Sequence, residues 1–273
     1  MEMRFAFCNE GFQDTPWPAV CTTLAEAGYD GVEIAPFTLA DQVQDLSARA
    51  RADIRAAARE AGLEIVGLHW LLVKPEGLHV SHPDAGVRGR TRDYLCHLVD
   101  FCADLGGKVM VFGSPAQRGP AEGAGQEDAW EWTLATFRGV LPVLSDREVT
   151  LCLEPLGPQE TGFVNTAAEG RRMVDAMAHP NFRLMLDVKA MSTEDQPIPD
   201  IIRGQAEVLA HVHANDANMQ GPGFGDVDFR PILETLREIR YDGYLSVEPF
   251  EFVPDASTVA RRSLSYLHEC APT

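Results

Sequence analysis

No apolar run in this 273-residue chain approaches the roughly 20 residues that a helix needs to cross a bilayer, so no membrane partner is expected. Basic residues are scarce. Lys and Arg number 23 against 41 Asp and Glu, a formal charge of −18. Nucleic-acid binding draws much of its affinity from Lys and Arg that neutralise phosphates, so this balance argues against a polyanionic partner. The cysteines Cys8, Cys21, Cys96, Cys102, Cys152 and Cys270 form no CxxC pair and no disulfide-framework spacing. Reduced thiols are the expectation. Met1-Glu2-Met3-Arg4-Phe5 has no signal-peptide anatomy, and a cytoplasmic location follows as the reading. No linker or low-complexity tract divides the chain, which predicts a single domain over residues 1–273.

What is present is a repeated alternation of strand and helix patterns. Hydrophobic residues make up 45% of the chain, enough for a large core. Strands are expected near residues 4–8, 31–34, 64–69, 108–112, 150–154, 183–187, 210–214 and 244–248. Helical spacing fills residues 18–27, 46–61, 87–105, 129–146, 167–177, 200–209 and 229–239, and 256–269 closes the chain. Eight alternations predict the α/β class and a (β/α)₈ TIM barrel. Ala61-Gly62-Leu63 and Leu105-Gly106-Gly107 read as helix ends just before strands, where glycine tolerates a positive φ. The stretches 74–83, 113–125 and 215–228 follow strands and are the longer loops. In this fold such loops form the C-terminal mouth, where active sites are built.

Four segments in the second half end an apolar run on a metal-friendly side chain: Leu151-Cys152-Leu153-Glu154, Leu184-Met185-Leu186-Asp187, His211-Val212-His213 and Leu245-Ser246-Val247-Glu248. Residues two apart share one strand face. Cys152, Met185, His211 and Ser246 therefore fall on the ligand face, and Leu153, Leu186, Val212 and Val247 on the other. In a barrel, Glu154, Asp187, His213 and Glu248 would converge from strands 5 to 8. Three carboxylates that close must be neutralised, and one divalent cation does so. Three oxygens and one nitrogen suit Mn²⁺ best, with Mg²⁺, Co²⁺ or Zn²⁺ possible. Glu154 and Glu248, on opposite sides, are the candidate acid/base pair for moving a proton beside a carbonyl. His69 ends strand 3 and is expected to contact a substrate oxygen. His211 reads as a hydrogen-bonded barrel histidine, Glu33 as a brace and Cys152 as a buried structural thiol. Trp17, Trp70, Phe112 and Phe250 are offered as walls of a sugar pocket, with packing under loops as the alternative.

These residues resemble the xylose isomerase-like TIM-barrel superfamily of sugar isomerases and epimerases, near its ketose 3-epimerases. The likeness lies in Gly31-Val32-Glu33-Ile34, Leu68-His69-Trp70-Leu71-Leu72, Leu153-Glu154-Pro155-Leu156, Asn165-Thr166, Leu186-Asp187, His211-Val212-His213 and Val247-Glu248-Pro249, and in the turn Gly223-Phe224-Gly225-Asp226-Val227-Asp228-Phe229. The resemblance implies metal ligands at Glu154, Asp187, His213 and Glu248, and a substrate-contacting glutamate at Glu160. Two positions depart from the epimerase pattern. Ala190 stands where a histidine follows the aspartate, and Met219 where an arginine follows the metal histidine. Lys189 is the candidate to replace one of these substrate contacts, against the reading of a solvated lysine.

The expected function is metal-dependent isomerisation or epimerisation of a ketose or related hydroxy-ketone through a metal-held enediolate. The alternative is a metal-dependent dehydratase of an inosose or 3-dehydroshikimate-like substrate. An endonuclease IV-like barrel is disfavoured, because strand 4 ends in Phe112-Gly113 and Ala190 replaces a further ligand. A non-catalytic sugar-binding barrel is the remaining reading. The expected partner is a small-molecule sugar or polyol-derived ketone, with a homo-oligomer possible. No basic cluster is evident for a phosphate.

Overall fold

Side-chain alternation along each strand predicts two chemically different faces, and a computed structural model describing residues 3–271 shows both. Met1 and Glu2, used above in reading the N-terminus, and Pro272 and Thr273 lie outside the described residues. Eight parallel strands follow one another around a closed barrel: β1 (Arg4–Cys8), β2 (Gly31–Ile34), β3 (Glu64–Leu68), β4 (Val109–Phe112), β5 (Thr150–Leu153), β6 (Phe182–Asp187), β7 (Leu209–Ala214) and β8 (Tyr244–Val247). The ring closes where β8 pairs with β1, Ser246 opposite Ala6. The helices are α1 (Trp17–Ala27), α2 (Ala48–Ala61), α3 (Ala85–Leu105), α4 (Gln126–Arg138), α5 (Leu141–Arg147), α6 (Ala167–Met177), α7 (Val188–Met191), α8 (Ile198–Gln205), α9 (Phe229–Glu238) and α10 (Ala256–Cys270). This is the (β/α)₈ TIM barrel that the alternation predicts. Among the described residues, no helix is long and apolar enough to cross a membrane.

The faces separate as the period-2 pattern requires. Leu153, Leu186, Val212 and Val247 join helix residues such as Leu98, Phe137 and Leu233 in one buried core between sheet and helices. Cys152 and Met185 pack with Val111 in a separate small cluster inside the barrel. Each fully buried aliphatic or Phe side chain of the outer core contributes about 1.5–3 kcal/mol of transfer free energy.

Local signals set most helix boundaries. Ser47 caps α2 by accepting from the Ala50 N–H, Asp84 caps α3 at Gly86, and Thr166 and Glu169 form a reciprocal box at the start of α6. Gly62 and Gly106 end α2 and α3 with φ of 86° and 92°. Three helix expectations need correction. The helix expected over 129–146 is two, α4 and α5, broken at Gly139 and Val140 with Pro142 in the first turn of α5. Proline has no N–H to give to a continuing helix, and it is tolerated in a first turn. Leu209 opens β7 rather than ending a helix, because α8 stops at Gln205. The short α7 was not expected at all. It begins where Asp187, the last residue of β6, caps it.

Strands β3 and β4 touch through only two paired positions, Gly67 with Val109 and Leu68 with Met110. A Cβ on Gly67 would collide with the Val109 carbonyl. Gly67→Ala should therefore destabilise the barrel by about 3 kcal/mol, since neither strand can retreat without breaking the pairing. Chemical denaturation checks this. An unchanged midpoint would show that the two strands are free to separate.

Candidate metal centre and active site

The barrel register brings the four strand-end ligand candidates together. Asp187 on β6 lies opposite His213 on β7, and His213 lies opposite Ser246 on β8. Glu154 and Glu248 each sit one residue past their strands. There the Glu154 N–H donates to the Phe112 carbonyl and the Glu248 N–H to the Ala214 carbonyl. One donor atom from each of Glu154, Asp187, His213 and Glu248 lies within 4.8 Å of the others, and all four residues are buried.

Asp187, His213 and Glu248 are each oriented by a neighbour. Asp187 Oδ1 accepts from the Ala190 N–H at 2.7 Å, and Oδ2 accepts from the Asn215 side chain. Asn215 in turn accepts from the Lys189 N–H at 2.8 Å. His213 Nδ1 faces Glu248 Oε2 at 2.9 Å, and its Nε2 faces Glu33 Oε1 at 3.1 Å. The other oxygen of Glu33 meets His211 Nε2 at 2.8 Å. His211 is thus a hydrogen-bonded barrel histidine and Glu33 a brace. An imidazole that donates Nε2–H to a buried carboxylate presents Nδ1 to an ion, the usual outer-shell arrangement of a histidine ligand.

The electrostatics mark the cluster as overcharged. Burial first, then the Glu248 and Asp187 carboxylates, hold Glu154 well above the ordinary carboxylate range. Burial pushes Asp187 up to about 6, against the pull of Lys189. Burial also opposes ionisation of Glu248, but His213 outweighs it and leaves that carboxyl below its ordinary value. His213 is raised far above the ordinary imidazole, because Glu248 and Glu33 outweigh its own burial. Three buried carboxylates and one imidazole nitrogen form a hard donor set that a divalent cation would neutralise, so the residues present fit such an ion.

Glu154 and Glu248 both open onto a partly open cavity that is also lined by His69, Trp70, Glu160 and Phe250. The aromatic candidates divide. Trp70 and Phe250 stand edge to face at 6.2 Å in the cavity wall. Trp17 instead donates its indole N–H to the Ile54 carbonyl, and Phe112 packs on Phe137. Packing, not the pocket, accounts for that second pair. Lys189 is buried rather than solvated. Its Nζ donates to Glu160 Oε1 at 2.7 Å and lies 4.2 Å from the Phe250 ring centroid. A flexible cation is thereby held beside the pocket, at a point next to Ala190. Met219 is partly exposed in the loop after β7, where its carbonyl accepts from the Phe250 and Glu251 N–H groups.

Several residues of the site were not foreseen. Asn215 carried a legible signal, since His211, His213 and Asn215 are spaced by two and share a face. Arg118 carried none, because a lone arginine in a Gly/Pro-rich loop reads as solvated. It is buried, and it donates to the carbonyls of Gly113 at 2.7 Å, Glu154 at 2.7 Å and Phe112 at 3.2 Å, tying the ends of β4 and β5 together. Glu10, in a short 3₁₀ turn after β1, meets His69 Nε2 at 2.8 Å. Gly113 makes room for the Glu154 carboxylate, since a Cβ there would collide with Glu154 Oε2. Gly113→Ala should displace that carboxylate and lower kcat/KM about 100-fold, a loss typical of a displaced catalytic group. Steady-state kinetics with a circular-dichroism check on folding measures it, and wild-type turnover would show that the carboxylate has room to move.

The family profile described as xylose isomerase-like TIM barrel matches residues 21–270. Among curated proteins, the chain is 28% identical over 233 residues to the D-psicose 3-epimerase of Agrobacterium fabrum (strain C58 / ATCC 33970), covering 83% of this chain and 77% of that protein. It is 25% identical over 260 residues to the 3-dehydro-D-guloside 4-epimerase of Escherichia coli (strain K12), covering 90% and 92%. A solved structure of D-psicose 3-epimerase in the presence of D-fructose matches with a TM-score of 0.86 at 21% identity, over 98% of this chain and 99% of that one. The last likeness shows the fold alone. The curated relatives are epimerases, which does not favour the dehydratase alternative. The chain belongs to the xylose isomerase-like TIM-barrel family and is an enzyme of the isomerase class.

Proposed function

We propose that this enzyme epimerises an unphosphorylated ketose or related hydroxy-ketone, using one divalent metal ion, Mn²⁺ by preference, held by Glu154, Asp187, His213 and Glu248. The observation that carries this reading is the convergence of these four buried side chains at the mouth end of β5 to β8, with both glutamates opening onto one cavity. A bound divalent ion would neutralise the carboxylates and polarise the substrate carbonyl, making the neighbouring C–H more acidic.

The remaining work falls to the chain itself. Glu154 and Glu248 reach the cavity from β5 and β8, on opposite sides of the substrate. One carboxylate removes the proton beside the carbonyl, and the other returns a proton to the opposite face, which inverts that carbon. Asp187 and His213 complete the cradle. Glu160, with Lys189 bound to it, offers a paired charge to a substrate oxygen, and Trp70 and Phe250 shield the reacting carbon from water. The two cations beside the pocket are already engaged. Lys189 is held by Glu160, and Arg118 by backbone carbonyls. Neither is free for a phosphate, which supports a neutral sugar.

Incubation of the Mn²⁺-loaded protein with a panel of ketoses in deuterated water tests the reading. Deuterium should appear at the carbon beside the carbonyl, together with the epimer. Loss of water to a conjugated, ultraviolet-absorbing enone would overturn it in favour of the lyase, and absence of exchange on every ketose would remove it.

A further inference from the structure

Three buried polar atoms of the same cavity are left unexplained by the acid/base pair and its ligands. His69 Nδ1, Trp70 Nε1 and Ser114 Oγ have no hydrogen-bond partner among the described residues. His69 is 0% exposed and Ser114 3%, and all three residues line the cavity beside Glu154 and Glu248. A buried polar group left unpaired costs about 1–3 kcal/mol, so side chains free to turn elsewhere do so.

These three are not free. The other ring nitrogen of His69 is tied to Glu10 Oε2 at 2.8 Å. Trp70 is held at φ 51° with its ring against Phe250. Ser114 sits at φ 30°, directly after Gly113, whose carbonyl Arg118 grips. Left-handed backbone at two non-glycine residues, one just past β3 and one just past β4, is unfavourable and persists only where the surroundings enforce it. Three separate restraints thus hold polar atoms at one side of one cavity. The set comprises an indole N–H that only donates, a hydroxyl that donates and accepts, and an imidazole nitrogen. Alcohol groups, which also donate and accept, complement it.

We propose that His69 Nδ1, Trp70 Nε1 and Ser114 Oγ form a hydroxyl-binding subsite on the β3–β4 side of the pocket. Glu10 is the positioning residue that locks the His69 ring, and Ser114 is a specificity-determining contact. The inference rests on the sugar reading above and extends it. The glutamates act at the reacting carbon, while this subsite grips hydroxyls elsewhere on the same substrate. Contacts made equally in the ground and transition states appear in KM more than in kcat.

The test compares metal-loaded wild-type and Ser114→Ala proteins on D-psicose and its 4-, 5- and 6-deoxy analogues, with D-psicose binding followed by calorimetry. Loss of one hydrogen bond should weaken D-psicose binding by about 5- to 20-fold and raise KM in step. One deoxy analogue should be handled 5- to 20-fold worse than D-psicose by the wild type, yet Ser114→Ala should no longer distinguish the two. Glu10→Ala should weaken binding further, and Glu10→Gln should rescue part of the loss because its amide oxygen still accepts Nε2–H. If exchange occurs but Ser114→Ala binds and discriminates like wild type, the subsite is wrong and the epimerase reading stands. If Glu10→Ala lowers thermal stability and leaves KM untouched, Glu10 is a structural residue only. If no ketose binds or exchanges with wild type, the sugar reading falls and takes the subsite with it.

Discussion

Glu154→Gln and Glu248→Gln should each reduce solvent-deuterium exchange at the carbon beside the carbonyl by about 10³-fold or more, with the barrel intact. General acid–base catalysis by a positioned group contributes about 10²–10⁴-fold, and loss of a ligand adds to that. Glutamine keeps the volume and the acceptor oxygen but cannot take up or deliver the proton. The outer core holds neither residue, so folding should survive. Glu154 offers a sharper check. Its ionised form is opposed by burial and by two neighbouring carboxylates. A neutral amide there should leave the metal-free melting temperature equal to or above that of wild type. Exchange by nuclear magnetic resonance and melting by calorimetry give both numbers. Full-rate exchange in either variant would remove that residue from the acid/base pair.

Mn²⁺ at about 100 times its dissociation constant should stabilise the protein by about 2.7 kcal/mol at pH 7.5, raising the melting temperature by about 5–10 °C. The rise should shrink markedly by pH 5. The sign follows from Asp187, whose pKa is raised from 3.8 to about 6, and from Glu154, which is raised in the same direction. A carboxyl with a raised folded pKa contributes stability that is fully present below its unfolded pKa and is lost as pH rises through the folded one. The metal-free protein therefore loses this contribution between about pH 4 and 6 through Asp187, and at still higher pH through Glu154. An ion binds the ionised form, so protons compete with it as pH falls. Chelation should return the melting temperature to the metal-free value and abolish turnover. A melting temperature indifferent to Mn²⁺, Mg²⁺, Co²⁺ and Zn²⁺ at pH 7.5 would exclude the four-residue cluster as a metal site.

Much of the scaffold is written locally. Strand alternation places Leu153, Leu186, Val212 and Val247 outward and Cys152 and Met185 inward, because successive side chains leave a strand on opposite sides whatever the strand pairs with. The same period carries chemistry to the ends of β5 to β8, and the count of alternations closes the ring. Gly62, Ser47 and the Thr166–Glu169 pair mark helix ends through contacts within one turn. The split between α4 and α5 was equally local, since Gly139 and Pro142 stood in plain view.

The rest was decided by closure of the barrel. His69 finds Glu10 across 59 residues, Lys189 finds Glu160 across 29, and Glu33 reaches His211 across 178. No local period encodes such pairs, because the partners become neighbours only when strands far apart in the chain converge on one mouth. Lys189 and Arg118 look in sequence like ordinary surface cations, and both are buried. Taking a charge out of water is unfavourable unless a fixed partner meets it, and only the folded loops supply the glutamate and the carbonyls that do so. The amino-acid order alone thus determined the barrel, its two faces and the four converging candidate ligands. The tertiary structure decided which polar groups brace them and which line the cavity unpaired, since those depend on distances that exist only after folding.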